Sequence, residues 1–141
     1  MITHIRHSGV VTGDLEISQK FYERLGFKVS KKMEETGPFI EKILGLKGVH
    51  VTTVKMSADD GNLIELLCFN THPGKKIKRT VNDIGWTHLA CTVDDVDQDY
   101  KKLRSQGIKF YSSPQMNPER TAKVVFCEDP HGNILELVQV L

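Results

Sequence analysis

The chain has 141 residues, 39% of them hydrophobic and 26% charged, with a formal net charge of +1, the profile of one ordinary globular domain rather than a disordered or fibrous segment. The near-neutral balance excludes the basic field of a nucleic-acid binder, and no apolar run reaches the roughly 18 residues of a membrane span. Met1-Ile2-Thr3-His4 lacks the basic and apolar regions of a secretory signal, and Cys68, Cys91 and Cys127 lack C-x-x-C spacing, so a cytoplasmic location with buried free thiols is expected.

Residues 5–12 alternate as a strand, with His7 on the face of Ile5, Gly9 and Val11 and His4 pointing the other way. Asp14 is a good N-cap, and Leu15, Ser18, Phe21, Tyr22 and Leu25 recur at helical spacing until Gly26 stops the helix. A strand over 27–33 follows, then a short apolar helix from Phe39 to Leu44, opened by Gly37-Pro38 and closed by Gly45. Residues 49–56 and 63–69 form a hairpin around Ala58-Asp59-Asp60-Gly61-Asn62. Between Asn70 and Gly85, Pro73-Gly74 and the cations Lys75, Lys76, Lys78 and Arg79 read as a linker. A strand over 86–93 carries His88 on the face of Trp86, Ala90 and Thr92. A helix from Asp95 turns Val96, Tyr100 and Leu103 inward and ends at Gly107; strands over 108–111, 123–127 and 134–140 complete the chain, with a polar loop from Pro114 to Arg120.

One stretch is written twice. Gly61-Asn62-Leu63-Ile64-Glu65-Leu66-Leu67 returns as Gly132-Asn133-Ile134-Leu135-Glu136-Leu137-Val138, each a turn followed by an apolar strand with one glutamate in its middle. Burying an unpaired carboxylate in such a strand costs several kcal/mol, roughly, so each glutamate must face water at an edge, join a salt bridge or hold a metal. The repetition extends further. His7 to His88, Asp14 to Asp95 and Gly26 to Gly107 are each 81 residues apart, whereas Gly61 to Gly132, Asn62 to Asn133 and Glu65 to Glu136 are each 71 apart. Ten extra residues therefore lie in the first half, where the Gly37–Leu46 helical turn accounts for them. The result is an α+β fold of two βαβββ modules, at about residues 1–70 and 84–141 with a linker at 71–83. They are expected to form one curved eight-stranded sheet with helices on the convex face, within a single domain. Val10, Phe21, Leu25, Leu66, Leu89, Cys91, Leu103 and Leu137 are expected under the helices.

The chain resembles the vicinal oxygen chelate superfamily of glyoxalases, epimerases, extradiol dioxygenases and antibiotic-resistance proteins. The motifs are His7 followed by Gly13-Asp14-Leu15, Phe21-Tyr22-x-x-Leu25-Gly26-Phe27, the Gly61–Leu66 stretch, Gly85-x-x-His88-Leu89-Ala90 with Val93-Asp94-Asp95-Val96, and Asp129-Pro130-His131-Gly132-Asn133-x-x-Glu136-Leu137. They span essentially the whole chain and are closest to the glyoxalase I-like metalloenzymes. The resemblance implies that His7, Glu65, His88 and Glu136 hold one divalent metal ion. Two imidazoles and two carboxylates suit Zn, Ni, Co, Mn or Fe in expanded coordination better than a closed structural zinc site, which prefers thiolates. His4, His50, His72 and His131 have no counterpart in the repeat and read as surface or capping histidines. Phe39, Ile40, Ile43 and Leu44 read equally as a lid or as core.

The resemblance also implies a lyase or isomerase acting on a small-molecule carbonyl substrate. A proton beside the metal-bound carbonyl is removed through an enediolate, with Glu136 as base and Glu65 as its symmetric rival. A homodimer is implied too. Details depart from known members: Val11 stands where typical bacterial glyoxalases have a glutathione-contacting arginine, Phe69 where they have asparagine with Asn70 adjacent, and Glu65 where methylmalonyl-CoA epimerases usually have glutamine. The alternatives are an extradiol-type dioxygenase, which uses two histidines and one glutamate and leaves three positions open, and a non-catalytic small-molecule-binding protein of the resistance type.

Overall fold

In the computed structural model, which describes all 141 residues, the chain divides into two compact units, Met1–Lys76 and Ile77–Leu141. The boundary falls within the cationic segment expected to be a linker. Each unit carries its own four-stranded sheet.

In the first unit the order of elements is β1 (Ser8–Val11), α1 (Leu15–Arg24), β2 (Lys28–Thr36), α2 (Pro38–Leu44), β3 (His50–Ser57) and β4 (Leu63–Phe69). The strands lie in the order β1-β4-β3-β2, with β1 parallel to β4 and the other pairs antiparallel. Helix α1 starts where expected, because the Asp14 carboxylate accepts from the Ile17 amide at 3.0 Å and so satisfies one of the helix's open donors. Gly26 ends it at φ +96°, a conformation that costs an L side chain energy. The inner face of α1 buries Ser18, Phe21 and Tyr22, and the Tyr22 ring packs edge-on to Phe21 and Phe27. The sheet's contribution on that side is Val54, Met56, Ile64 and Leu66, all at or below 2% exposure. Because side chains alternate along β4, Leu63, Glu65 and Leu67 belong to the opposite face.

In the second unit β5 (His88–Thr92), α3 (Val96–Ser105), β6 (Gln115–Met116), β7 (Ala122–Glu128) and β8 (Ile134–Val140) follow one another, and the strand order β5-β8-β7-β6 repeats that of the first unit. The Asp95 carboxylate caps α3 at the Gln98 amide. On the helix side Val96 and Leu103 are buried, as are Val125, Cys127, Leu135 and Leu137 of the sheet. Gln139, on the same β8 face, accepts from the Val96 amide at 3.2 Å, which fixes the helix over that face.

Several expectations change in detail. Of the residues expected under the helices, Phe21, Leu66, Leu103 and Leu137 are fully buried, whereas Val10, Leu25, Leu89 and Cys91 are half-buried. The first strand begins at Ser8 rather than Ile5, since β1 pairs only with β4 and its ladder starts at Ser8 opposite Ile64. The strand expected over 108–111 shrinks to a single bridge between Phe110 and Cys127, and the polar loop after it supplies the two-residue edge strand β6 instead. In α2 the sequence left lid and core open. Ile40 is core, packed with Val49 and Val51, while Phe39 and Ile43 stand exposed.

Candidate metal centre

The repeat seen in the sequence is also a repeat in backbone register. Gly9 lies opposite Glu65, and Ala90 lies opposite Glu136. On its other side Glu65 pairs with Lys55, as Glu136 pairs with Phe126. Each glutamate thus sits mid-strand between two neighbours, on the face away from the helix.

In each unit the conserved arithmetic yields a close His–Glu pair. His7 Nε2 is 3.1 Å from Glu65 Oε2, and His88 Nε2 is 3.2 Å from Glu136 Oε2. The carboxylates are largely sheltered, with side chains 14% and 23% exposed, so of the three fates open to such a glutamate, solvation at an edge is not the one adopted. Zinc–nitrogen and zinc–oxygen bonds of about 2.0–2.2 Å at right angles would put adjacent donors roughly 3 Å apart. Both pairs have that spacing between an imidazole nitrogen and a carboxylate oxygen. The donor chemistry therefore fits a divalent ion, two ligands at a time. Neither unit by itself gathers three or more His, Cys, Asp or Glu side chains around one point.

The surroundings of the two pairs differ. The His88 ring is held on two sides: Thr87 Oγ1 lies 2.7 Å from Nδ1, and Phe126 packs edge-on at 5.2 Å between centroids. A hydrogen bond at Nδ1 leaves Nε2 as the nitrogen that faces Glu136, the arrangement by which ligating histidines are commonly oriented. In the first unit Lys55 takes the place of Phe126, with Nζ 3.6 Å from Glu65 Oε1. A cleft of about 160 Å³ opens there, lined by His4, Arg6, His7, Lys55 and Leu63. His4 does not point away from His7, as alternation predicts, but shares its cleft, because both residues precede the start of β1.

The remaining histidines are placed one by one. His50 Nε2 is 2.6 Å from Glu34 Oε2, and Thr52 Oγ1 donates to the same oxygen; these contacts, the His50 one foremost, hold the Glu34 carboxyl below the usual carboxylate range. His72 Nδ1 meets Thr71 Oγ1. Of the surface and capping roles expected for His131, the surface one is not met: the residue is half-buried and its Nε2 is buried without a partner. It occupies the place of Asp60 in the repeat. There the Asp60 carboxylate accepts from the Asn62 amide and side chain, whereas in the second turn Asp129, two residues earlier, accepts from His131 and Asn133. The turn keeps its carboxylate by moving it. Asn70, adjacent to the position where glyoxalases carry asparagine, is committed to Thr52 Oγ1 at 2.9 Å, and Phe69 packs beside the Ile40 cluster.

A sequence profile supplies the deciding match: that of the Glyoxalase/Bleomycin resistance protein/Dioxygenase superfamily covers residues 2–137. The chain belongs to this superfamily. Among characterised sequences it is 29% identical over 147 aligned positions to 4-hydroxyphenylpyruvate dioxygenase of Pseudomonas aeruginosa, an alignment that takes in 99% of this chain and 37% of that enzyme. The chain thus spans well under half of the dioxygenase's length. It is 28% identical to a probable lactoylglutathione lyase of Synechocystis sp., over 94% of this chain and 92% of the relative. In fold it is similar to a glyoxalase family protein of Bacillus cereus, with TM-score 0.92 and 21% identity over 100% of this chain and 96% of that one. It is also similar to a fosfomycin resistance protein of Listeria monocytogenes complexed with Mn(II) and sulfate, with TM-score 0.63 and 13% identity over 100% and 95% of the two chains. The superfamily embraces lyases and dioxygenases acting on small molecules, and no helix of this chain is long and apolar enough to cross a membrane.

Proposed function

We propose that the protein is a metal-dependent lyase or isomerase of the glyoxalase I type, which transfers a proton next to the carbonyl of a small-molecule substrate. The observation that carries this reading is the His–Glu pair built twice in the same register, at 3.1 and 3.2 Å. His7, Glu65, His88 and Glu136 together supply two imidazoles and two carboxylates for one Zn, Ni, Co, Mn or Fe ion, a donor set suited to borderline divalent metals. Such an ion, when bound, polarises a carbonyl oxygen and so makes the neighbouring carbon acid strong enough for a carboxylate to deprotonate.

The chain's own residues divide the remaining work. Glu136 is the base in this reading. Its ion-pair neighbour within 4 Å is the His88 imidazole alone, whereas Glu65 is flanked by both His7 and the Lys55 ammonium. A carboxylate held from one side is freer to swing toward a substrate proton than one held from two. Thr87 and Phe126 keep the His88 ring in place while it does so. The commitment of Asn70 to Thr52, together with Val11 in place of an arginine, argues for a carbonyl substrate other than a glutathione adduct. We assign the working form to a homodimer; a monomeric mass in solution at micromolar concentration would refute that part.

The test is solvent exchange. Incubated in deuterated water with a panel of hemithioacetals, acyl-CoA thioesters and hydroxycarbonyl compounds, the metal-loaded protein should introduce deuterium at the carbon beside the carbonyl, and Glu136→Gln should keep its metal but lose the exchange. The similarity to a dioxygenase supports one rival. Oxygen consumption on a catechol or 2-oxo acid panel, with no exchange on any carbonyl compound, reverses the assignment.

A further inference from the structure

We infer that the cleft lined by His4, Arg6, His7, Lys55 and Leu63 is an anion subsite that receives a carboxylate or phosphate group of the substrate. The assignment to substrate rests on the function proposed above; the binding of the anion does not.

Three observations in the first unit lead there. The cleft holds two permanent cations, Arg6 and Lys55, and no acidic side chain lines it. Neither cation has its hydrogen-bond donors engaged, although Lys55 is ion-paired with Glu65. Arg6 makes no hydrogen bond or ion pair, and Lys55 Nζ is 3.6 Å from Glu65 Oε1, beyond hydrogen-bonding distance, so its donors remain available. The volume of about 160 Å³ is below the roughly 300–1,000 Å³ that takes up a whole drug-sized ligand, and suits one substituent of a larger molecule. Arginine and lysine lining such a space supply the guanidinium and ammonium donors that recognise carboxylate and phosphate oxygens.

The repeat shows that these cations are not part of the shared scaffold. By the offsets of 81 and 71 residues, His7 and Glu65 return as His88 and Glu136, but His4, Arg6 and Lys55 return as Gly85, Thr87 and Phe126. One copy of the half-site therefore keeps the metal donors with two cations around them, and the other keeps the same donors with an aromatic ring against its histidine. Fold and metal binding demand only what both copies retain. What only one copy has is the material of substrate choice, and here it is positive charge within reach of His7. The compound that the centre takes is accordingly a carbonyl compound with an anionic group, not a neutral one.

The experiment uses the full chain stripped of metal by a chelator and dialysed, so that no metal ion can bind the probe. Inorganic phosphate and acetate are titrated separately, at ionic strength held constant with sodium chloride, while backbone amide resonances are followed by NMR. The amides of residues 4–7 and 55 should shift and saturate. Arg6→Gln and Lys55→Gln should each weaken that binding by about tenfold, the loss expected for one charged hydrogen bond, while Lys76→Gln in the exposed linker should leave it unchanged. Arg6 lies outside every strand, so its variant reports even if the Lys55 variant folds poorly. Tighter phosphate than acetate marks a phosphorylated substrate, and the reverse marks a carboxylate. No saturating shift in the wild type, or equal affinity in all three variants, overturns the subsite. A protein that binds these anions yet exchanges no α-proton sinks the proposed reaction and leaves the subsite standing.

Discussion

Lys55 lies directly across the β3–β4 ladder from Glu65, with its ammonium nitrogen 3.6 Å from the carboxylate. If Glu65 ligates a metal as proposed, a fixed positive charge beside its carboxylate opposes the entry of a divalent cation. At 4 Å two unit charges interact by about 1 kcal/mol even at the dielectric of water, and the double charge of the ion raises this to about 2. Lys55→Met should therefore bind the divalent ion about 30-fold more tightly than the wild type, measured by competition with a chromophoric chelator. Unchanged or weaker metal binding would show that Lys55 turns its charge away when the ion enters.

The turns that precede both glutamates set their register. Gly61 and Gly132 have φ of +85° and +86°, in the left-handed region that costs an L residue about 1–2 kcal/mol. An added Cβ would meet nothing within 4 Å at either position, so the cost is one of backbone alone. Gly132→Ala is expected to lower stability by about 1–2 kcal/mol in urea denaturation. Gly132→Asn should cost less, since asparagine tolerates that conformation. Equal losses for the two would point to a cause other than φ.

Much of this architecture is legible in the sequence because it is dictated locally. Asp14 and Asp95 announce their helices by capping chemistry, and the two Gly-Asn turns announce the strands that hold Glu65 and Glu136. The readings that fail are those where a pattern outlives the element producing it. Alternation extends in the sequence from β1 through Ile5 to His4, but the ladder with β4 starts at Ser8 opposite Ile64, and without a ladder the faces of residues 4–7 are not assigned. The strand expected near Phe110 fails for a related reason: apolar content alone supports only the bridge to Cys127. Lys55 carries no signal of its own, because a lysine in a strand reads as solvent-facing. The signal that finds it is the 71-residue offset, which aligns Lys55 with Phe126 and marks a place where the two copies disagree beside residues on which they agree.

Cys127 is fully buried in the second unit, and burial first, with neighbouring acidic groups after it, pushes its thiol up to about 12 from an ordinary value of 9.0. It should resist alkylation in the native protein, because the thiolate is the reactive form. A group whose folded value is raised contributes stability that is whole below its unfolded value and is lost as pH rises toward the folded one. Between pH 9 and 12 the wild type should accordingly lose up to about 1.4 kcal/mol per pH unit more than Cys127→Ala, read from urea midpoints at pH 8 and at two points above 9. Parallel pH dependence in the two proteins would show that the thiol ionises as freely folded as unfolded.

The last prediction concerns the metal itself, and it follows from how few donors each unit offers. A His–Glu pair alone gives two ligands, below the three or four protein ligands of ordinary catalytic or structural zinc sites. If the two pairs act together, losing one histidine leaves three donors, two of them carboxylates, and binding should weaken sharply. Protein purified without a chelator should then carry about one equivalent of divalent metal per site, while His88→Ala, handled identically, should lose it. Binding of an ion to the folded state alone raises stability by about 2.7 kcal/mol at a free concentration one hundred times the Kd, so adding a chelator to the wild type should lower its Tm, and adding it to His88→Ala should change nothing. Because His88 is exposed and its contacts are to Phe126, Thr87 and the Glu136 carboxylate, none of them in the core under the helix, the substitution should leave the fold intact, which the amide spectrum checks directly. Full metal content in His88→Ala would mean that the second unit's pair is not a ligand pair, and the quartet would have to be abandoned.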